Sequence, residues 1–119
     1  MIIVADNRIR RVKFVDQNTF DAFESLKKGV FEEKRLAEFV QRAIGDLREN
    51  PFCGTKIPRA LWPKEYVREY GVTNLWKYDL PNGWRLIYTI VGTELEIVSI
   101  ILEWFSHKEY EKKFKYNVR

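Results

Sequence analysis

The chain has 119 residues and a net charge of +4, with 45% hydrophobic and 15% aromatic side chains; this suits one domain with a real core, excludes a disordered chain, and is compatible with a polyanionic partner without establishing one. The single cysteine, Cys53, excludes an intrachain disulfide framework and a multi-cysteine zinc site. No apolar run approaches transmembrane length, and Met1-Ile2-Ile3-Val4-Ala5 is too short for a signal peptide and runs into charge, so the expectation is a soluble cytoplasmic protein.

Residues 9–15 alternate Ile9, Arg11, Lys13 and Val15 against Arg10, Val12 and Phe14, which predicts a first strand. Asn18 or Thr19 can cap a short helix with Asp21 in its first turn. Phe20, Phe23 and Leu26 line one side of it, and Gly29 supplies its stop. A second helix runs over about residues 32–49, with Leu36, Phe39, Val40, Ala43 and Leu47 at helical spacing; Asn50-Pro51 ends it. The two helices form a hairpin. In residues 51–73, Pro51, Gly54, Pro58 and Pro63 break regular structure. Phe52, Ile57, Leu61, Trp62, Tyr66 and Tyr70 are nevertheless too apolar for a free loop. An ordered loop lying on the sheet is expected, with a helical turn near residues 64–69. Cys53 reads as a small buried or loop residue; as a nucleophile it would have one possible partner, the distant His107.

Three strands follow, at about residues 74–80, 84–91 and 94–104. Pro81-Asn82-Gly83 fits a three-residue hairpin loop, a type I turn closed by a left-handed glycine. That register pairs Leu80 with Trp84, Asp79 with Arg85 and Lys77 with Ile87. Trp76, Tyr78, Leu80, Trp84, Leu86, Tyr88 and Ile90 then share an apolar face. Lys77, Asp79, Arg85, Ile87 and Thr89 share the other. A two-residue Asn-Gly loop would shift the register by one and mix the two sets, which burial disfavours. Gly92-Thr93 reads as a two-residue turn. Residues 107–114 form a last short helix, where Ser106 followed three positions later by Glu109 makes a capping box. The order β-α-α-β-β-β-α describes an α+β fold: an antiparallel meander with the N-terminal strand on an edge, backed on its apolar face by the helical hairpin, and a short C-terminal helix.

Three constellations carry possible chemistry. Lys77 and Arg85 on neighbouring strands can bind a phosphate and stabilise a pentavalent phosphorane; equally, they belong to a solvated sheet face with an Asp79–Arg85 cross-strand pair. Asp79 weakens the functional case by neutralising one of the charges. His107 suits proton transfer near neutral pH, and a helix N-terminus would keep it neutral and able to act as a base; the alternative is a capping or surface histidine. Tyr110 falls on its side of the helix. Lys56, Arg59 and Lys64, interleaved with Trp62, Tyr66 and Tyr70, fit a nucleic-acid track or an ordered loop with aromatics inside and charges outside. No phosphate loop, nucleophile elbow or metal-ligand cluster is present in the sequence, so neither cofactor nor metal is expected.

The stretch Gly83-Trp84-Arg85-Leu86-Ile87-Tyr88-Thr89-Ile90 resembles the Gly-aromatic-Arg-Leu-Val/Ile-Tyr strand of the RelE/ParE superfamily of toxins from toxin–antitoxin systems. Leu75-Trp76-Lys77-Tyr78 on the preceding strand and His107-Lys108-Glu109-Tyr110 near the C-terminus are similar to that family's patterns. The resemblance covers about residues 74–114. It implies a RelE-like domain that inhibits translation by cutting mRNA, often on the ribosome, without metal, through attack of the ribose 2′-OH on the adjacent phosphorus. By position, Arg85 would contact the scissile phosphate and Lys77 would add a second positive charge. His107 would be the acid or base, and Tyr110 an orienting or RNA-contacting group. Lys108 stands where many members place an arginine and joins Lys56, Arg59 and Lys64 as RNA-binding. A cognate antitoxin protein would be the partner, and the free toxin a monomer, although exposed aromatics could support a dimer. Asp79, where RelE itself has a second lysine, and a longer loop at Trp62-Pro63-Lys64-Glu65-Tyr66 depart from the pattern. They leave open a ParE-like toxin that binds a protein such as gyrase, or a non-catalytic binding domain on the same scaffold.

Overall fold

In the computed structural model, which describes residues 6–115, the hairpin register is the one the alternation demands. Trp76 faces Tyr88, Lys77 faces Ile87, Tyr78 faces Leu86 and Asp79 faces Arg85. The turn itself differs. Asn82 (φ 61°) and Gly83 (φ 80°) are both left-handed, and Trp84 N donates to Pro81 O. A primed Asn-Gly turn is therefore nested inside the three-residue loop; two central residues with positive φ give the backbone twist that matches the right-handed twist of the strands. The register survives because Leu80 N donates to Trp84 O at 2.8 Å and closes the loop one residue outside it.

The elements in order are β1 (Ile9–Phe14), α1 (Gln17–Lys27), α2 (Phe31–Glu49), β2 (Thr55–Lys56), α3 (Lys64–Tyr70), β3 (Trp76–Asp79), β4 (Arg85–Gly92), β5 (Glu96–Phe105) and α4 (His107–Lys115). The fold is α+β. The five strands run β1-β5-β4-β3-β2; β1 is parallel to β5 and the other pairs are antiparallel. β2 was not expected from the sequence: two residues carry no alternation, and the strand is held from a distance. Tyr88 Oη accepts from Gly54 N at 3.1 Å and donates to Pro51 O at 2.8 Å. A β-carbon on Gly54 would sit 2.5 Å from Lys77 O, so only glycine permits this approach.

Three local expectations are corrected. The cap of α1 is Asp16, whose Oδ1 accepts from Thr19 N at 2.8 Å, not Asn18 or Thr19. Gly29 is not a left-handed stop. It leaves room for the Glu33 carboxylate, which would crowd any β-carbon there and which accepts from Val30 N at the start of α2. The β4–β5 turn centres on Glu94-Leu95 rather than Gly92-Thr93. The Thr93 hydroxyl accepts from Leu95 N and Glu96 N, which draws the turn two residues on. The capping box at α4 is present: Ser106 N donates to Glu109 Oε1 at 3.0 Å and Glu109 N to Ser106 Oγ at 3.2 Å.

Both faces of the sheet are covered, by different means. Leu80, Leu86, Tyr88 and Ile101 pack on Phe23 of α1 and on Leu36, Ala37, Val40, Ala43, Ile44 and Leu47 of α2. On the opposite face Ile87 and Leu102 pack on Ile57, Trp62, Tyr66, Val72 and Leu75 of the 51–75 segment and on Phe114 of α4. The sequence grouped Ile87 and Thr89 with the charged face; both lie on it, and both are buried. Thr89 Oγ1 donates to Asn74 O at 2.7 Å, while the Asn74 amide bonds Ile90 N and Ile90 O in place of a strand neighbour. Among the described residues no helix is long and apolar enough to cross a membrane.

Candidate active site

The apolar cover on the second face ends at the β3–β4 hairpin, and a charged cluster begins there. Asp79 and Arg85 are directly opposed, with Lys77 two residues back on β3, so the pleat points all three side chains the same way. Lys77 Nζ lies 3.2 Å from Asp79 Oδ1, and Arg85 Nε lies 3.0 Å from the same oxygen. The Arg85 contact is an ion pair set off the hydrogen-bonding direction, leaving Nε without a hydrogen bond. The Arg85 side chain is only 20% exposed, whereas Asp79 is 59% exposed. Arg85 Nη1 donates to Trp84 O at 3.2 Å, and its guanidinium lies 5.7 Å from the centre of the Tyr110 ring.

Tyr110 is held from below by Phe114, whose ring stacks at 4.6 Å between centroids. Burial raises its phenol pKa, Arg85 opposes the rise and Asp79 adds to it, so all three groups share one electrostatic neighbourhood. His107 opens α4. Its β-carbon is what a side chain on Gly83 would strike, at 3.0 Å, which puts the imidazole beside the hairpin tip two residues before Arg85. Its Nε2 lies 3.1 Å from Glu111 Oε1, and the ring is 59% exposed. Glu111 was missed in the sequence, although its i,i+4 spacing from His107 was the available signal.

The expected residues do not all come together. Lys77, Arg85, Tyr110 and His107 are drawn to one end of the second face. Arg59 and Lys64 line, with Arg68, Trp62, Ala60 and Val67, an open groove of about 460 Å³ on the outer side of α3. Trp62 is buried there, with Nε1 donating to Ile57 O at 2.8 Å and Arg59 lying over its ring, so its indole serves the core rather than offering a free stacking surface. Lys56 is exposed on β2 and Lys108 on α4. Cys53 is exposed in the loop before β2, and burial of its thiol followed by the charge of Asp46 raises its pKa, the opposite of what a thiolate nucleophile needs. Among the described residues no three His, Cys, Asp or Glu side chains stand together as metal ligands.

What this end of the sheet can do follows from its parts. Two cations on adjacent strands can hold a phosphate between them. A half-buried guanidinium interacts with an anion more strongly than a solvated one. An imidazole at the hairpin tip, next to Gly83 and two residues from Arg85 along the chain, can exchange protons with a ligand that reaches both. Comparison with known protein families, with curated proteins and with solved structures finds no match to this chain.

Proposed function

We propose that this chain is a RelE-like toxin, a metal-independent endoribonuclease that cuts mRNA and is neutralised by an antitoxin protein. The observation that carries the reading is Arg85: a guanidinium kept 20% exposed on a strand, with Lys77 on the neighbouring strand, Tyr110 against its face and His107 at the adjoining turn. In this reading Arg85 and Lys77 take the non-bridging oxygens of the scissile phosphate and stabilise the charge that builds as the 2′-oxygen attacks. His107 protonates the departing 5′-oxygen, and Tyr110 fixes the Arg85 plane. Lys56, Arg59, Lys64 and Lys108 supply charge for the flanking phosphates.

One observation favours a second reading, a non-catalytic or ParE-like domain that binds a protein: Asp79 already forms an ion pair with both Lys77 and Arg85 and offsets part of their charge. Pulse expression of the protein with mapping of mRNA 5′ ends separates the two. The ribonuclease reading expects new ends inside coding regions that vanish in Arg85→Ala and in His107→Gln. Growth arrest with intact mRNA supports protein binding, and ends unchanged by either substitution remove these residues from the site.

A further inference from the structure

We propose that Asp79 is the general base of this site, the group that takes the proton from the attacking 2′-hydroxyl. The inference rests on the ribonuclease reading and adds to it a residue that would otherwise count against it.

Attack by a 2′-hydroxyl on its own phosphodiester moves two protons. One leaves O2′ as the O2′–P bond forms, and one arrives at O5′ as the P–O5′ bond breaks, giving a 2′,3′-cyclic phosphate and a 5′-hydroxyl. The described residues contain a single histidine, His107, and one imidazole cannot accept at O2′ and donate at O5′ in the same step. Lys77 and Arg85 are cations and serve the phosphate. The Tyr110 phenol is kept in its protonated form by burial. Asp79 is the carboxylate that touches both phosphate-binding cations, so it is within one side chain's reach of any phosphate they hold.

Its geometry suits the task. Lys77 Nζ and Arg85 Nε both approach Oδ1, at 3.2 and 3.0 Å, which leaves Oδ2 for another donor. The side chain is 59% exposed, open to a ligand arriving from solvent. When a phosphate takes over the two cations, the carboxylate is left beside a like charge, and accepting a proton relieves that repulsion. The division of labour is then complete within four residues: Asp79 accepts from O2′, Arg85 and Lys77 hold the phosphate, and His107 donates to O5′. Glu111, 3.1 Å from His107 Nε2, is a positioning residue for the imidazole.

The test compares wild type, Asp79→Asn and Glu111→Gln for single-turnover cleavage of an mRNA, free and ribosome-bound. The same variants are assayed for binding the same RNA made uncleavable by 2′-O-methylation. Asp79→Asn is expected to slow cleavage by about 100- to 10,000-fold, with binding unchanged or tighter. Glu111→Gln should slow it by about tenfold, the lower end for a lost supporting contact. Cleavage by Asp79→Asn at or above the wild-type rate overturns the inference and makes Asp79 a shield over the cations. A parallel fall in rate and binding overturns it too, as does loss of cleavage in Glu111→Gln alone. A wild-type protein that cuts neither RNA overturns the ribonuclease reading, and Asp79 with it.

Discussion

The two faces of the sheet solve the same problem with different materials. On one, a 19-residue helix and its shorter partner lay a continuous apolar surface over Leu86 and Tyr88. On the other, a proline-broken segment and a short C-terminal helix bury Ile87 fully but cover Arg85, two residues away on the same strand and face, only in part. The difference teaches that a candidate site here is not carved into the fold. It is the part of a buried face that the cover reaches only in part, where charged side chains stand with apolar support behind them.

If both faces are true cores, truncation should cost alike on each. Leu86→Ala and Ile87→Ala should each lower unfolding free energy by about 3 kcal/mol in chemical denaturation. An Ile87→Ala protein as stable as wild type would make the second cover ornamental. The join between the faces comes next. Tyr88→Phe removes the hydroxyl that bonds Gly54 N and Pro51 O and should cost about 2 kcal/mol. A melt at neutral pH reads it, and no change would unseat the account of β2.

Tyrosines on both faces also predict an alkaline limit. Burial, then the hydrogen bond to Asp46, pushes the Tyr78 phenol from 10.0 up to about 12, and burial raises Tyr88 and Tyr66 further. Each contribution is whole below the unfolded value and is lost as pH rises through the folded one. Stability should therefore hold to about pH 10 and fall towards pH 12. Ultraviolet titration showing all the phenols ionising near pH 10 in the folded protein would contradict this burial.

Smaller effects sharpen the comparison at the edge of the cover. Ser106→Ala should cost about 1 kcal/mol by removing the α4 cap, and should loosen the segment that carries His107. Asp79→Asn should lower stability by no more than about 1 kcal/mol, since the carboxylate is 59% exposed although the Lys77 and Arg85 side chains it pairs with are half-buried. A large loss there would make Asp79 a structural clamp.

Much of this was legible in the sequence where the signal is local. Alternation through residues 76–90 showed which side chains share a face, and Ser106 with Glu109 marked the start of α4. What escaped depends on distant partners. β2 exists because Tyr88, more than thirty residues on, holds its approach. The Glu94-Leu95 turn hides behind a better-looking glycine because a threonine hydroxyl makes it. Ile87 and Arg85 have the same periodicity, and nothing local says that one will be fully buried and the other left half-buried. The meeting of Lys77, Asp79 and Arg85 was readable from register. The closing of Tyr110 and His107 onto that end needed the path of α4.

Transphosphorylation of RNA at the half-buried end of the second face is the proposed activity. The chemical identity of the new 5′ ends tests it most directly. Ends produced during pulse expression should carry 5′-hydroxyls, accept label from a polynucleotide kinase without prior dephosphorylation, and be absent in an Arg85→Ala protein of unchanged melting temperature. Ends carrying 5′-phosphates, or hydroxyl ends that persist in Arg85→Ala, would contradict it.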